Sequence, residues 1–87
     1  MHIVYLVQNT DSLELYVGQT SNLKQRLKQH NSHTQKATKR RNGAEWKLIY
    51  AEAYRDKKDA TKREAKLKQR GSAKSHLKKR IEESLLK

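Results

Sequence analysis

Apolar residues recur along this chain with two different periods, and the switches between them mark out its elements. Residues 3–7 form an apolar run with both parities filled, which predicts a strand covered on both faces. Asn9, Thr10, Asp11 and Ser12 then supply turn chemistry, because their side chains bond to nearby backbone. Over residues 13–18, Leu13, Leu15 and Val17 alternate with Glu14, Tyr16 and Gly18, the pattern of a second strand. The two strands read as an antiparallel hairpin. A register centred on Thr10 and Asp11 would set Tyr5 opposite Tyr16, on one side of the sheet.

A hydroxyl from Thr20 or Ser21 can cap a first helix, in which Leu23, Leu27 and His30 follow one stripe with Arg26 at its border. From about residue 32 to residue 43 the chain is polar and basic without apolar periodicity, as expected of an exposed loop. Residues 46–54 carry Trp46, Leu48 and Tyr50 on one parity and Ile49, Ala51 and Ala53 on the other, which predicts a strand packed from both sides at the centre of the sheet. A charged helix follows over residues 58–69. Its Ala60, Glu64 and Leu67 lie within about 60° of one another on the helical wheel, so a carboxylate stands on the apolar stripe. Gly71 ends this helix in the left-handed conformation, and Ser72 caps a last helix with Ala73, Leu77, Ile81 and Leu85 at four-residue spacing. The expected fold is α/β (α+β): one domain over residues 1–87, a three-stranded, mainly antiparallel sheet flanked by three helices.

Composition narrows the function classes. Eighty-seven residues, about a third of them apolar, suffice for one core and not for two. Twenty-one Lys and Arg against nine Asp and Glu leave a net charge of +12, a field that attracts polyanions, so nucleic acid is the leading partner class. No apolar run approaches the roughly twenty residues of a spanning helix, and no signal-peptide core follows the N-terminus; the expectation is a soluble cytoplasmic protein without membrane contact. With no cysteine, disulfides and thiolate chemistry are excluded, which leaves oxygen, nitrogen or a hard metal for catalysis. His2, His33 and His76 lack the spacing of a zinc site.

The tripeptides Ile3-Val4-Tyr5 and Tyr16-Val17-Gly18 are separated by ten residues, and Thr20, Asn22-Leu23, Arg26-Leu27, His30-Asn31 and Arg63-Glu64 follow in order. Each tripeptide alone is weak evidence; the ordered set resembles the GIY-YIG nuclease superfamily, in its small stand-alone bacterial single-domain branch. Ile3 stands where that family's first tripeptide has glycine, Gln19 where many members carry lysine, and no counterpart of a late asparagine follows Glu64. The resemblance implies a Mg²⁺-dependent endonuclease acting on DNA, with Mn²⁺ as a substitute ion, RNA as the other polymer and no small-molecule cofactor. Because larger relatives take their targets from separate recognition domains, low sequence specificity is expected. The alternative is a non-catalytic nucleic-acid-binding module on the same scaffold. The implied catalytic residues are Tyr16 at the attacking water, Tyr5 positioning it or sharing that task, Arg26 at the phosphate, Glu64 on the metal, and His30 assisting proton transfer or phosphate binding.

Elementary chemistry agrees with this division of labour. A hard cation prefers carboxylate oxygen and water, so one glutamate can anchor it while phosphate completes the shell. A guanidinium offers two parallel donors to phosphate oxygens. A phenol, with an ordinary pKa near 10, serves as a base at neutral pH only beside cations or through a relay. Taken singly, strand tyrosines and an inward Trp46 read as core packing, and Arg26 as a solvated face residue. Glu64 is the strongest individual case, since a carboxylate on an apolar stripe needs a metal, lysine or arginine to answer it. Gly18 permits close approach of phosphate or of the neighbouring strand. With Lys36, Lys39, Arg40 and Arg41 of the basic loop, it completes the expected nucleic-acid contacts, beside lysine faces on the later helices.

Overall fold

Three antiparallel strands form the sheet: β1 (His2–Asn9), β2 (Leu15–Thr20) and β3 (Trp46–Tyr54), in the order β2-β1-β3. Among the described residues three helices complete the fold, α1 (Leu23–Asn31), α2 (Lys57–Lys68) and α3 (Ser72–Arg80). The computed structural model describes residues 1–32, 45–69 and 71–86. The basic loop expected over residues 32–43 falls almost entirely outside them.

The centre of the sheet is β1, not β3 as the sequence suggested. Val4, Leu6, Tyr5 and Val7 fill both parities of β1, and all are buried. Beyond its buried Trp46, β3 is half-buried at Ile49 and along Tyr50, Glu52 and Tyr54, whereas Leu48, Ala51 and Ala53 are exposed. Alanines bring little apolar area to bury, so that side of β3 gains little from a cover. Leu6 pairs with Tyr50 and Val7 with Leu48, which leaves Ile49 as the extra residue of a bulge.

The hairpin register also differs from expectation. Tyr5 faces Gly18 and Val7 faces Tyr16, so the two tyrosines are diagonal neighbours on one side of the sheet rather than a facing pair. The turn is longer than the sequence suggested. Asn9 Oδ1 accepts bonds from the backbone N–H groups of Asp11 and Ser12, both at 2.9 Å, and Leu13 takes a left-handed φ of 63° that reverses the chain before Leu15. Gln8, buried beside this turn, donates to Leu13 O at 3.0 Å and accepts from Leu86 N–H at 2.7 Å, which ties the end of the described chain to β1.

Caps differ in detail as well. Asn22 caps α1, its Oδ1 accepting from Gln25 N–H at 3.1 Å, because Thr20 still belongs to β2 and its hydroxyl accepts from Asn22 N–H instead. Asp56 caps α2 through Lys58 N–H at 2.8 Å. Gly71 has a φ of 178°, extended rather than left-handed, and Ser72 is the first residue of α3 rather than its cap. Leu85 lies beyond the last helical turn.

Packing divides the molecule into three layers. On one face of the sheet Val4, Leu6 and Val17 meet Ala60 and Leu67 of α2 and Leu77 of α3. On the other, Tyr5, Val7 and Trp46 pack with Tyr16 and with Leu23 and Leu27 of α1. The first core is aliphatic; the second is built on aromatic rings, and it carries the polar chemistry.

Candidate active site

Tyr5 sits at the middle of β1, only 1% exposed, and its side chain runs under α1. There its hydroxyl meets Nε2 of His30 at 2.8 Å, a bond between residues 25 positions apart and both buried. His30 reaches this point because it follows Leu23 and Leu27 on the face of α1 that packs on the sheet. The next residue, Asn31, fixes the helix end: its side-chain amide accepts from Trp46 N–H at 2.8 Å and donates to Trp46 O at 3.1 Å, as a paired strand would. Tyr16 closes the group, with its ring centroid 5.4 Å from that of His30 and 6.4 Å from that of Trp46.

Gly18 lies directly opposite Tyr5. A Cβ there would stand 2.3 Å from the Tyr5 hydroxyl oxygen, so the strand admits the ring only because this position has no side chain. The sequence assigned Gly18 to phosphate or to a neighbouring strand; its visible role is to seat Tyr5.

Arg26, one turn before His30, donates from Nη1 to Gln19 O at 3.5 Å, a long bond at the end of β2. From the opposite side of the sheet, Glu64 of α2 approaches the same strand. Gln19 Nε2 donates to Glu64 Oε1 at 3.1 Å and to Thr61 Oγ1 at 3.2 Å. Gln19 therefore joins Arg26 through its backbone and Glu64 through its side chain. Glu64 Oε2 is 3.0 Å from Lys68 Nζ, which realises the neighbouring-lysine ion pair that the sequence left open for this carboxylate. The Lys68 ammonium also stands 5.7 Å from the centroid of the Tyr16 ring.

Electrostatics sets the protonation of the inner pair. Burial raises the Tyr5 phenol above its ordinary pKa of 10.0, and the Arg26 guanidinium opposes that rise without cancelling it. Burial lowers His30 below 6.5, and Arg26 lowers it further. At neutral pH the pair is a phenol beside a neutral imidazole. In the tautomer with the ring proton on Nδ1, Tyr5 O–H donates to Nε2, and the imidazole is a ready acceptor for that proton.

Glu64 also lines an open cleft of about 330 Å³ with His2, Gln19, Thr20, Ser21 and Lys57. Glu64, Gln19, Thr20 and Ser21 bring carboxylate, amide and hydroxyl oxygens to this surface, and His2 and Lys57 bring nitrogen groups. Among the described residues no three His, Cys, Asp or Glu side chains gather into a metal cluster. Such a donor set suits a hard ion held by one carboxylate together with water and a ligand's oxygens, and not a closed zinc centre. Glu64 would hold the ion, with the Thr61 hydroxyl nearby.

Tyr5, Tyr16, Arg26, His30 and Glu64 thus come together around β2, the first four on the α1 side and Glu64 across the strand. Lys36, Lys39, Arg40 and Arg41 lie outside the described residues. The sequence reading left the cationic partner of Glu64 unnamed and missed the part played by Gln19. Lys68 was legible as the i+4 partner of Glu64. The bridging role of Gln19 was not, because it depends on how α2 lies against β2.

Residues 1–82 match the GIY-YIG catalytic domain, and the chain belongs to that family. It has the nuclease-type fold of a small GIY-YIG superfamily member. It is similar to the UPF0213 protein DP2720 of Desulfotalea psychrophila, with 41% identity over 66 residues, 76% of this chain and 59% of that protein. The matched region thus spans less than two thirds of the relative's length. No solved structure matches the chain.

Proposed function

We propose that this protein is a cytoplasmic, divalent-metal-dependent endonuclease that hydrolyses DNA phosphodiester bonds with low sequence specificity, residues 1–87 acting as one catalytic domain. The observation that carries the reading is the buried 2.8 Å bond between the Tyr5 hydroxyl and His30 Nε2, with Arg26 beside it. A phenol raised above its ordinary pKa is a poor base alone, but one that passes its proton to a neutral imidazole as it receives another is a relay. Tyr16, half-buried at the strand edge, orients the attacking water; Tyr5 shares the task and hands a proton on to His30. Arg26 binds the scissile phosphate and neutralises charge that develops in the transition state. A divalent ion on Glu64, Mg²⁺ or Mn²⁺, would supply a Lewis acid at the phosphate.

Supercoiled plasmid incubated with Mg²⁺ or Mn²⁺ tests the reading. Wild-type protein should nick it; Arg26→Ala and Glu64→Gln should each slow nicking by about 10²-fold or more. Salt-sensitive DNA binding should survive in both, because dispersed lysines supply most of it. Absence of cleavage of duplex, branched and single-stranded DNA and of RNA would overturn the proposal. A second reading, a non-catalytic nucleic-acid-binding module, draws on the fact that both Glu64 oxygens already have partners, Gln19 and Lys68. That reading requires binding that does not depend on metal.

A further inference from the structure

An (i, i+4) glutamate–lysine pair is ordinarily an ornament of an exposed helix face. Glu64 and Lys68 are placed differently. The Glu64 side chain is only 20% exposed, and its other oxygen is bonded to Gln19 of β2. The Lys68 ammonium lies on the Glu64 carboxylate and 5.7 Å from the Tyr16 ring centroid, which brings it to the strand that carries the tyrosine cluster. Its side chain is 49% exposed, so a ligand can reach it. Gln19, between Arg26 and Glu64, brings no charge of its own. Lys68 is therefore a cation on the α2 side of β2, ion-paired with Glu64 where Lys57 only lines the same cleft, as Arg26 is a cation on the α1 side.

We propose that Lys68 is a working residue of the site: its ammonium neutralises Glu64 in the free protein, and it turns to the phosphodiester when a divalent ion takes the carboxylate. The inference rests on the nuclease reading above. An ammonium 3.0 Å from a carboxylate oxygen weakens the binding of a divalent cation to that carboxylate, because like charges at that range repel. Displacement is cheap for a half-exposed lysine, whose long stem lets the charge swing without moving the helix. With Arg26, the released ammonium gives the phosphate two positive groups, one from each side of β2. In the absence of metal the same ion pair keeps Glu64 from repelling an approaching polyanion.

Mn²⁺ binding without nucleic acid, followed by the loss of the free-ion electron paramagnetic resonance signal, separates this role from a purely structural one. Lys68→Met and Lys68→Gln should each bind Mn²⁺ about three- to tenfold more tightly than wild type, since a competing cation has been removed. At saturating Mn²⁺ both should cleave plasmid at least about tenfold more slowly, and Lys68→Arg should recover much of the rate. Unchanged or weaker Mn²⁺ affinity in both variants overturns the proposal. Tighter binding with wild-type cleavage overturns its phosphate half. If Glu64→Gln binds Mn²⁺ as wild type does, the metal assignment itself fails, and the role of Lys68 falls with it.

Discussion

The molecule holds two pairs of tyrosines, one on each face of the sheet, and they have opposite partners. Tyr50 and Tyr54 both donate to the carboxylate of Glu52, at 2.6 Å and 2.5 Å, and Arg63 Nε of α2 meets the same group at 2.7 Å. Their hydroxyls are pinned by an anion. The bond to Glu52 is the main reason that Tyr54 is pushed up to about 12 and that Tyr50 is raised. Burial alone would raise Glu52, but the two hydroxyls and Arg63 outweigh it and hold the acid below 4.5. Tyr5 has instead a neutral imidazole as its partner. A phenol bonded to a carboxylate that is locked in its charged form has nowhere to send a proton, whereas one bonded to an imidazole has a base waiting. The first arrangement fastens α2 to β3. The second has the makings of a reaction centre.

Removing one hydroxyl from each pair is the most direct way to break this contrast. Tyr5→Phe should lower plasmid cleavage by about 10²- to 10⁴-fold, the range of a general acid–base contribution. Tyr54→Phe should leave cleavage per folded molecule near wild type and reduce unfolding free energy in urea by about 1 kcal/mol, the worth of one hydrogen bond. If Tyr54→Phe proves as inactive as Tyr5→Phe, the two pairs are not functionally distinct.

Gly18→Ala attacks only the reactive pair. The new Cβ would stand 2.3 Å from the hydroxyl oxygen and 2.4 Å from Cζ of Tyr5, a ring that is only 1% exposed. Overpacking of this kind costs about 1–3 kcal/mol, and here it would also pull the hydroxyl from His30. Loss of cleavage larger than the loss of urea stability is the expected signature. Wild-type values for both would mean that the ring has room that its contacts deny.

Much of this was legible in the sequence, because the tyrosines, Arg26, His30 and Glu64 fall at positions fixed by local periods. Residues 3–7 and 15–18 announce strands, and the Leu23, Leu27 and His30 stripe points the imidazole at the sheet. Tyr50, Glu52 and Tyr54 alternate and so share a face by period two alone. What failed depended on geometry beyond the pattern. Asn9 folded the turn with its own side chain and Leu13 accepted a left-handed φ, which moved the register by two residues. A strand with alternating alanines looked like the centre of the sheet, yet the sheet closes on β1. Arg63 on Glu52 and Gln19 on Glu64 both require knowing how α2 lies against the strands.

Glu52→Gln tests the fastening pair. It keeps the shape, removes the charge and leaves Arg63, 27% exposed on its side chain, to find water instead. Because that arginine is partly solvated, the loss in unfolding free energy should be about 1–2 kcal/mol rather than the larger cost of a fully buried pair. Cleavage per folded molecule should hold. A fall in cleavage beyond the unfolded fraction would mean that the seat of α2 on β3 also sets the position of Glu64, one residue from Arg63.

Acid separates the two clusters with the smallest effect. His30 is held below 6.5 by burial and then by Arg26, so the unfolded chain takes up its proton first as the pH falls. Its contribution to stability is therefore complete above 6.5 and is lost progressively below that value, down to the lower pKa of the folded state. Glu52, held below 4.5, contributes fully above that value and loses its contribution only as the pH falls toward its folded pKa. A urea series from about pH 7 to about pH 5 should show unfolding free energy falling with a slope of at most about 1.4 kcal/mol per pH unit for one proton. His30→Gln should flatten that part of the curve, while Glu52→Gln should leave it unchanged and flatten the more acidic part. Cleavage per folded molecule should fall only at the acid end of that window, as the pH reaches the lowered pKa of folded His30, because a protonated imidazole cannot accept the Tyr5 proton. If the His30→Gln curve keeps the wild-type slope, the ring is not neutral in the fold, and the relay between Tyr5 and His30 loses its acceptor.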